Sequence, residues 1–109
     1  MKKYIILVLA LTSFSAFAGS WANPSKVTVS YAHTAHGGYG VFRLEDMSVN
    51  PDGCSNPVYY VVSKQSNPVF EEIYSLLLAA HMSNKTVHVW LNGCSPHNHP
   101  VIQHARVLD

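Results

Sequence analysis

The sequence predicts a mainly β fold with one helix, in the order β-β-β-α-β-β. Three patterns lead to this prediction: alternating apolar and polar residues near both ends of the chain, a continuous β-branched and aromatic run in the middle, and one stretch with helical periodicity after it. The chain has 109 residues, of which 48% are hydrophobic and 12% charged. That length suits one domain and is too short for two.

The first 18 residues are predicted to be a secretory signal peptide that takes no part in the fold. Two lysines precede an uncharged run, residues 4–18, whose last three residues are Ala-Phe-Ala. A basic start, a short apolar core and small residues at positions −3 and −1 are typical of such a signal, with cleavage after Ala18. We therefore expect a secreted or periplasmic protein with a single domain over residues 19–109.

The charge balance excludes one class of partner. Without residues 1–18 the chain has 91 residues (109 less 18), with 5 basic and 6 acidic side chains once Lys2 and Lys3 are removed. A sequence-independent nucleic-acid binder needs a basic surface that displaces phosphate counterions, so we expect no nucleic-acid partner. We also expect no membrane span, because no later apolar run reaches the roughly 18 residues that a helix needs to cross a bilayer.

The first two strands are predicted over residues 26–34 and 39–45. The turn between them, His36-Gly37-Gly38, suits a hairpin that needs positive φ, so the two strands should be antiparallel neighbours. Alternation along the first strand would place Val27, Val29 and Tyr31 on the inner face and Thr28 and Ser30 on the outer face.

A third strand and the helix follow. Residues 58–62 are continuously β-branched or aromatic, as in a strand that is buried on both faces. Asn67 is a good N-cap, and Pro68 suits the first helical position. The apolar stripe of the helix comprises Phe70, Ile73, Leu77 and Ala80. Leu76, Leu78 and Tyr74 widen this stripe, so we expect the helix to be more buried than most.

The last two strands are predicted over residues 86–91 and 101–108. In the first of them, inward-facing Val87, Val89 and Leu91 alternate with outward-facing Thr86, His88 and Trp90. The complete order, with the helix between strands three and four, is that of the five-stranded OB-fold barrel.

Cys54 and Cys94 are predicted to form a disulfide. They are the two cysteines of an exported chain, so only one connectivity exists. The bond would tie the start of strand three to the end of strand four. By closing a loop of about 40 residues, it would stabilise the fold by about 4 kcal/mol.

Five short motifs stand at fixed separations along the chain: Gly53-Cys54, Tyr59-Tyr60, Leu76-Leu77-Leu78-Ala79-Ala80, Val87-x-Val89 and Gly93-Cys94. In their joint spacing they resemble a family of small exported bacterial proteins similar to the B subunit of subtilase cytotoxin. The resemblance extends from about residue 25 to residue 107. It implies an enterotoxin-type OB-fold, which in the toxin assembles into a ring of five and binds sialylated glycans on host cells.

The resemblance also implies a role for one residue and a class of partner. Residues 25–29 with His33-Thr34 are similar to the first strand of the toxin subunit, whose leading serine contacts the sugar, so Ser25 becomes a glycan-binding candidate. Leu91 stands where the toxin has a sugar-contacting tyrosine, and the cysteine pattern differs from that of the toxin. A toxin or enzyme partner subunit is a further expectation, although family members without one are common.

Trp90 is the second glycan-binding candidate. Alternation places its side chain outside the barrel, with His88 on the same face. An exposed tryptophan at this position could stack on a sugar, anchor a subunit interface, or pack against the N-terminal segment. The sequence leaves these three alternatives open.

The seven histidines raise the question of a metal site. Two pairs, His33-x-x-His36 and His97-x-His99, have spacings at which two imidazoles could share a metal ion. Neither pair is predicted on a helix, and no carboxylate or thiolate ligand lies nearby in the sequence. We therefore keep these four residues as weak candidates and expect neither a metal nor another cofactor.

The sequence contains no recognisable catalytic machinery. A nucleophile motif such as G-x-S-x-G is absent, and the neighbouring carboxylates Glu45-Asp46 and Glu71-Glu72 diverge and cannot face each other across a cleft. The predicted function is a non-catalytic binding module that recognises sialylated or other host glycans as a homo-oligomer, with five subunits favoured. The alternative is a cell-envelope protein-interaction module without a sugar ligand.

Overall fold

The computed structural model describes residues 19–108, so the predicted signal peptide lies outside the described residues, as does residue 109. The described part is mainly β with one α-helix, as predicted. Its elements are β1 (Ser20–Trp21), β2 (Ser25–His33), a 3-10 turn (Ala35–Gly37), β3 (Tyr39–Leu44), β4 (Tyr60–Ser63), α1 (Phe70–Ser83), β5 (Thr86–Cys94) and β6 (Pro100–Leu108). From β2 onward the order is the predicted β-β-β-α-β-β, and the two-residue β1 is an addition that the sequence did not predict.

The strands form one sheet that closes on itself. β2 pairs antiparallel with β3, and β3 with β4. β5 pairs antiparallel with β2 along one edge and with β6 along the other. A single parallel pairing, Val61 of β4 with Val101 of β6, joins the remaining edges. β1 also pairs with β5, with Trp21 opposite Trp90. It lies on the same edge of β5 as β2, because β6 occupies the other edge.

The inner face of this sheet holds the hydrophobic core. Its side chains come from every strand after β1 and from α1, and the fully buried ones are Phe42, Leu44, Tyr60, Val62, Leu77, Val87, Val89, Leu91 and Ile102. β4 is buried along its whole length, as predicted. The three buried residues of α1 are Ile73, Leu77 and Ala80, which belong to the predicted stripe. Leu78 is exposed, however, because it lies off this stripe, so the helix is less buried than expected.

A β-bulge in β2 overturns the predicted alternation of the first strand. Val27 lies opposite Leu44, yet two residues later the register has shifted by one, so that Tyr31 lies opposite Val41. An extra residue in one strand reverses the facing of every residue beyond it. Ser30 therefore faces inward, where its Oγ hydrogen-bonds to Nδ1 of His81 on α1, while Tyr31 faces outward and is 39% exposed. The predicted inward positions of Val29 and Tyr31 and the predicted outward position of Ser30 are therefore wrong.

The predicted turns are present with small differences in their bounds. His36, Gly37 and Gly38 all have positive φ, as the hairpin turn requires. Asn67 accepts a hydrogen bond from the amide of Val69 (2.9 Å), so it caps a turn just before the helix, and α1 itself begins at Phe70.

β4 begins at Tyr60, two residues later than predicted. The Tyr60 hydroxyl donates a hydrogen bond to the carbonyl of Val49 (2.7 Å), which ties the long loop before β4 to the core. Burial raises the pKa of Tyr60 to about 12. The phenol therefore stays protonated and keeps this hydrogen bond throughout the neutral range.

The disulfide prediction is confirmed. Cys54 and Cys94 are bonded, with their Cα atoms 5.6 Å apart and a sequence separation of 40. Nearby, the Asp52 carboxylate accepts a hydrogen bond from the amide of Gly93 (2.6 Å), a second link between the same two segments. In residues 19–108, no helix has the length and apolar character needed to cross a membrane.

Candidate functional site

The predicted site residues fall in three regions of the surface. The tryptophan face comprises Trp21, His88, Trp90, His104 and Arg106. The histidine pocket comprises His33, His36, His97 and His99, with Tyr31 and Tyr39 beside them. The polar corner comprises Asn23, Ser25, Asp46 and Ser48.

Strand pairing assembles the tryptophan face. Trp90 lies opposite Trp21 on one side and opposite His104 on the other, and His88 lies opposite Arg106. Directly paired residues point to the same face of a sheet. Because the alternate residues of β5 are fully buried, all five side chains lie on the outer face, where Trp90 was predicted to be.

The rings of the tryptophan face pack against one another. Trp21 stacks on His88 with ring centres 4.2 Å apart, and it meets the edge of Trp90 at 5.5 Å. The ring of His104 is parallel to that of Trp90, with centres 5.7 Å apart. Arg106 places its guanidinium carbon 4.5 Å from the centre of a Trp21 ring, a cation–π contact.

Arg106 also determines the protonation state of His88. Its Nε and Nη2 atoms donate hydrogen bonds to Nδ1 of His88 at 3.1 and 3.0 Å, so that nitrogen must be unprotonated. Burial and, next, the charge of Arg106 lower the pKa of His88, while a hydrogen bond that the His88 ring donates to the backbone carbonyl of Ala22 raises it. A neutral His88 thus holds the guanidinium in place beside Trp21.

The N-terminal segment lies against Trp90. An ideal Cβ added to Gly19 would come within 2.7 Å of the Trp90 ring, so the two are in close contact. Of the three alternatives for Trp90, packing against this segment is therefore observed. Trp90 still remains partly exposed, which leaves surface for a sugar or for a second subunit.

The histidine pocket forms where a tight loop folds over the outer face of the sheet. In this loop the Ser95 amide donates to the carbonyl of His99 (2.8 Å) and the Asn98 amide to that of Ser95 (2.7 Å). Asn98 adopts the left-handed conformation, with φ 66°. The loop covers Val41 and Val61, which face away from the main core and are only 4% and 2% exposed. Between loop and sheet lies a cavity of about 100 Å³.

Four histidines from two distant segments of the chain lie close together here, and three of them, His33, His97 and His99, line the cavity. His97 is the centre of the group, with its ring centre 5.4 Å from that of His33, 5.0 Å from that of His36 and 6.1 Å from that of His99. The rings meet at steep angles, edge to face. Within residues 19–108, no group of three or more His, Cys, Asp or Glu residues could hold a metal ion.

Two of these histidines have defined hydrogen bonds. Nδ1 of His99 lies 2.7 Å from the carbonyl oxygen of Asn56, which can only accept, so this nitrogen carries the proton. Nδ1 of His33 accepts a hydrogen bond from the amide of Ala35 (3.2 Å), so there the proton of the neutral ring is on Nε2. His33 and His99 therefore have opposite tautomers.

The polar corner holds Ser25 at the start of β2. Ser25 Oγ accepts a hydrogen bond from the amide of Asp46 (3.2 Å). The Asp46 carboxylate accepts hydrogen bonds from the hydroxyl and amide of Ser48 (2.6 and 3.0 Å) and from the Asn23 side chain (3.1 Å), in that order of effect, and they lower its pKa. Asp46 is thus an anion that this loop holds in place.

The structure does not bring the two glycan-binding candidates together. Ser25 lies opposite Val87, whose side chain faces the core, whereas Trp90 is on the outer face of the same strand. Any sugar that contacts both residues would have to reach around the end of the sheet. Ser25 and Trp90 therefore belong to separate surfaces of one subunit.

Sequence reasoning missed several members of these regions. The alternation of β6 could have placed Arg106 beside His104, because residues two apart in a strand share a face. No local pattern identifies Trp21, since its position depends on pairing with a strand 69 residues later. Comparison of the chain with protein-family models, curated proteins and solved structures found no match.

Proposed function

We propose that this chain is an exported, non-catalytic binding module that recognises glycans through its tryptophan face. One observation carries the proposal: Trp21 and Trp90 lie side by side on the outer face, with the guanidinium of Arg106 over one of them. Binding surfaces for small ligands combine apolar and aromatic area with a few polar groups that set orientation. The tryptophan face has both.

The chemistry of this face favours an acidic sugar. Tryptophan rings offer flat apolar area to the C–H face of a sugar ring, and the indole N–H can donate to a hydroxyl. An arginine side chain binds a carboxylate through two parallel hydrogen bonds. Arg106 is exposed, and its Nη1 atom makes no hydrogen bond to His88, so it can donate to a ligand while Nε and Nη2 keep their bonds to that ring. Sialylated glycans carry the carboxylate that such a residue would bind.

The connectivity of the sheet supports the resemblance to proteins similar to the subtilase cytotoxin B subunit. The cycle β5-β2-β3-β4-β6, the parallel β4–β6 pairing and the helix between β4 and β5 agree with the proposal of an OB-fold barrel. By the same resemblance, Ser25 is proposed as a second glycan contact, on a separate part of the surface. An exported toxin or enzyme subunit remains the proposed partner.

Assembly into a ring of five belongs to the same proposal. Weak glycan binding becomes effective when several sites act together. Leu78 and Met82 lie one turn apart on α1, and Met82 is 78% exposed. An apolar strip of this kind is suited to a heterologous contact with a different surface of the next subunit, which is how a closed ring is built.

A glycan array tests the binding proposal. The protein would be expressed from the full-length gene, purified after export, and compared with the variants Trp90→Ala, Arg106→Gln and Ser25→Ala. Lys85→Gln is the matched control, because it removes an exposed cation outside the tryptophan face. We expect Trp90→Ala to abolish binding and Arg106→Gln to abolish the preference for sialylated glycans, while Lys85→Gln binds normally.

Multi-angle light scattering on the same samples tests assembly. A mass of five subunits is expected, and a monomer at micromolar concentration would contradict the ring. An assembled oligomer that binds no glycan would contradict the glycan proposal. It would favour the alternative, a cell-envelope module in which the exposed strip of α1 and the tryptophan face bind another protein.

A further inference from the structure

We propose that the tryptophan face continues into a second sugar subsite, which binds the neutral sugar linked to the acidic one. This subsite is an open groove of about 420 Å³ between β6 and the turn before α1. We call it the amide groove, because it is lined by the side-chain amides of Asn67, Asn92 and Gln103. The inference rests on the proposed glycan-binding function and makes the ligand more specific.

A β-bulge in β6 forms one wall of the amide groove. Trp90 lies opposite His104, but the next residue, Leu91, lies opposite Ile102, so Gln103 is an extra residue in β6. Leu91 and Ile102 are buried in the core, whereas Gln103 and His104 are both exposed. Bulges of this kind redirect side chains and are common beside active sites. Two consecutive residues of β6 therefore present their side chains at the surface.

His104 joins the amide groove to the tryptophan face. Its ring stacks on Trp90 with centres 5.7 Å apart, and it also lines the groove. Along β6, Arg106 and Gln103 are three residues apart, which corresponds to about 10 Å in a strand. The surface thus presents a cation, then aromatic rings, then amides. Because this distance exceeds the width of one sugar ring, a ligand that contacts both ends must carry a second ring.

The amides of the groove suit sugar hydroxyls. The Asn92 nitrogen donates a hydrogen bond to Oε1 of Gln103 (3.4 Å). Within residues 19–108, the side-chain nitrogen of Gln103 and the side-chain oxygen of Asn92 have no other hydrogen-bond partner. One residue therefore offers donors and the other an acceptor, which matches hydroxyl groups that both donate and accept.

Asn67 has a structural role in the groove. Its side-chain nitrogen donates to the carbonyls of Ile102 (3.5 Å) and Gln103 (3.2 Å), and its oxygen accepts from the amide of Val69 (2.9 Å). These bonds hold the turn before α1 against β6. The width of the groove is therefore set by the fold before any ligand binds.

The remaining lining residues favour a neutral sugar. Within the described part of the chain, no Asp, Glu, Lys or Arg lines the groove, so it offers no charged partner for a second acidic group. Val69 is 42% exposed there and supplies apolar surface for the C–H groups of a sugar ring. Apolar surface with a few polar groups, in a volume of about 300–1,000 Å³, is typical of small-ligand sites. The ligand class is thus an acidic sugar linked to a neutral hexose.

Isothermal titration with two probes tests the inference. Methyl sialoside carries the acidic sugar alone, and sialyllactose carries it linked to galactose and glucose. We expect the parent protein, exported from the full-length gene, to bind sialyllactose at least about tenfold more tightly. Gln103→Ala and Asn92→Ala should each weaken sialyllactose binding about fivefold and change methyl sialoside binding less than about twofold.

Gln65→Ala is the matched control, because it removes an exposed amide that does not line the groove. It should bind both probes as the parent does. Thermal melting of each variant separates lost contacts from lost folding. Saturation-transfer NMR of sialyllactose with the parent needs no variant, and its galactose protons should receive saturation together with those of the sialic acid.

The possible failures are distinguishable. Equal affinities for the two probes, saturation confined to the sialic acid, or equal losses in Gln65→Ala and Gln103→Ala would overturn the amide groove as a subsite. So would amide variants that weaken both probes equally. Each of these results leaves the tryptophan face standing as the glycan site. If the folded parent binds neither probe, the proposed function fails, and this inference fails with it.

Discussion

The tryptophan face and the histidine pocket lie on the outside of the same sheet, but they are built in different ways. In the tryptophan face, every side chain comes from a strand and is placed by hydrogen-bonded pairing between β1, β5 and β6. In the histidine pocket, His36, His97 and His99 come from a turn and a loop, and the sheet contributes mainly the floor beneath them.

The way in which each region is built determines which changes disrupt it. Side chains held by a strand ladder stay in place as long as the sheet does, whereas a loop opens more easily than the strands beside it. The histidine pocket depends on two long-range links, the disulfide and the hydrogen bond from the Gly93 amide to the Asp52 carboxylate. The two regions should therefore respond to different changes.

Removal of the disulfide should have the largest effect. The double variant Cys54→Ser, Cys94→Ser loses the closure of a 40-residue loop, worth about 4 kcal/mol, and its melting temperature should fall by more than about 10 °C. Hydrogen exchange should show that the amides of Ser95 and Asn98 lose protection before the amide of Ala22, which donates to the carbonyl of Val89 beside the tryptophan face.

Two results would count against this account. Mass spectrometry of the exported protein could find two free thiols, or the tryptophan face could lose protection as early as the loop. The first result would contradict the disulfide, and the second would contradict the distinction between the two regions.

Val61→Ala should weaken the floor of the pocket. Val61 is 2% exposed beneath the loop, and truncation of a buried valine by two methyl groups costs about 2 kcal/mol. Val58→Ala is the control, because Val58 is exposed and its truncation should cost less than about 0.5 kcal/mol. Urea unfolding measures both. Equal costs for the two variants would show that the loop does not seal the pocket.

Trp21→Ala should affect the tryptophan face alone. Loss of its contacts with His88 and Trp90 should cost about 1–2 kcal/mol, and the emission of Trp90 should shift to the red as water reaches the ring. The two tryptophans of the chain both lie in this face, so fluorescence reports on it selectively. Hydrogen exchange at Ser95 and Asn98 should stay unchanged. A change there would mean that the regions are coupled.

The titration of His88 should give the smallest effect. Its pKa lies below the ordinary 6.5 because burial and Arg106 disfavour the charged ring. A pKa that folding lowers means that the stability contribution of neutral His88 is complete above pH 6.5 and declines as the pH falls below it. NMR titration should show the pKa of His88 rising toward its ordinary value in Arg106→Gln and unchanged in Lys85→Gln. A lower pKa of His88 in Arg106→Gln than in the parent would contradict the assignment of Arg106 as a cause of the shift.

The sequence predicted most of the elements because each has a local signature. The stripe of α1 and the alternation of β5 follow from the periods of the helix and the strand, and both were confirmed. The facing of Tyr31 was wrong because a bulge interrupts β2, and the extra residue carries no distinctive local pattern.

The candidate sites also combine features that a local pattern predicts with features that only tertiary contacts create. Alternation predicted correctly that Trp90 faces outward, and Ser25 was chosen by resemblance alone. The separation of these two residues became visible only when the pairing of β2 with β5 was known. The proximity of His36 and His97 was not predictable for the same reason, because their distance depends on how a turn and a loop that are remote in sequence fold over one sheet.

Sequence alone was enough to predict the strand and helix order, the burial of alternate residues in β5 and the pairing of the two cysteines. The first two of these features depend on residues that are close in the chain. The third follows because two cysteines allow only one pairing. The closure of the sheet, the partner of Trp21 and the contacts of His97 with His33 and His36 depend on tertiary structure. Such contacts join segments tens of residues apart, and they form only when the strand edges pair and the core is buried, which no short stretch of sequence specifies.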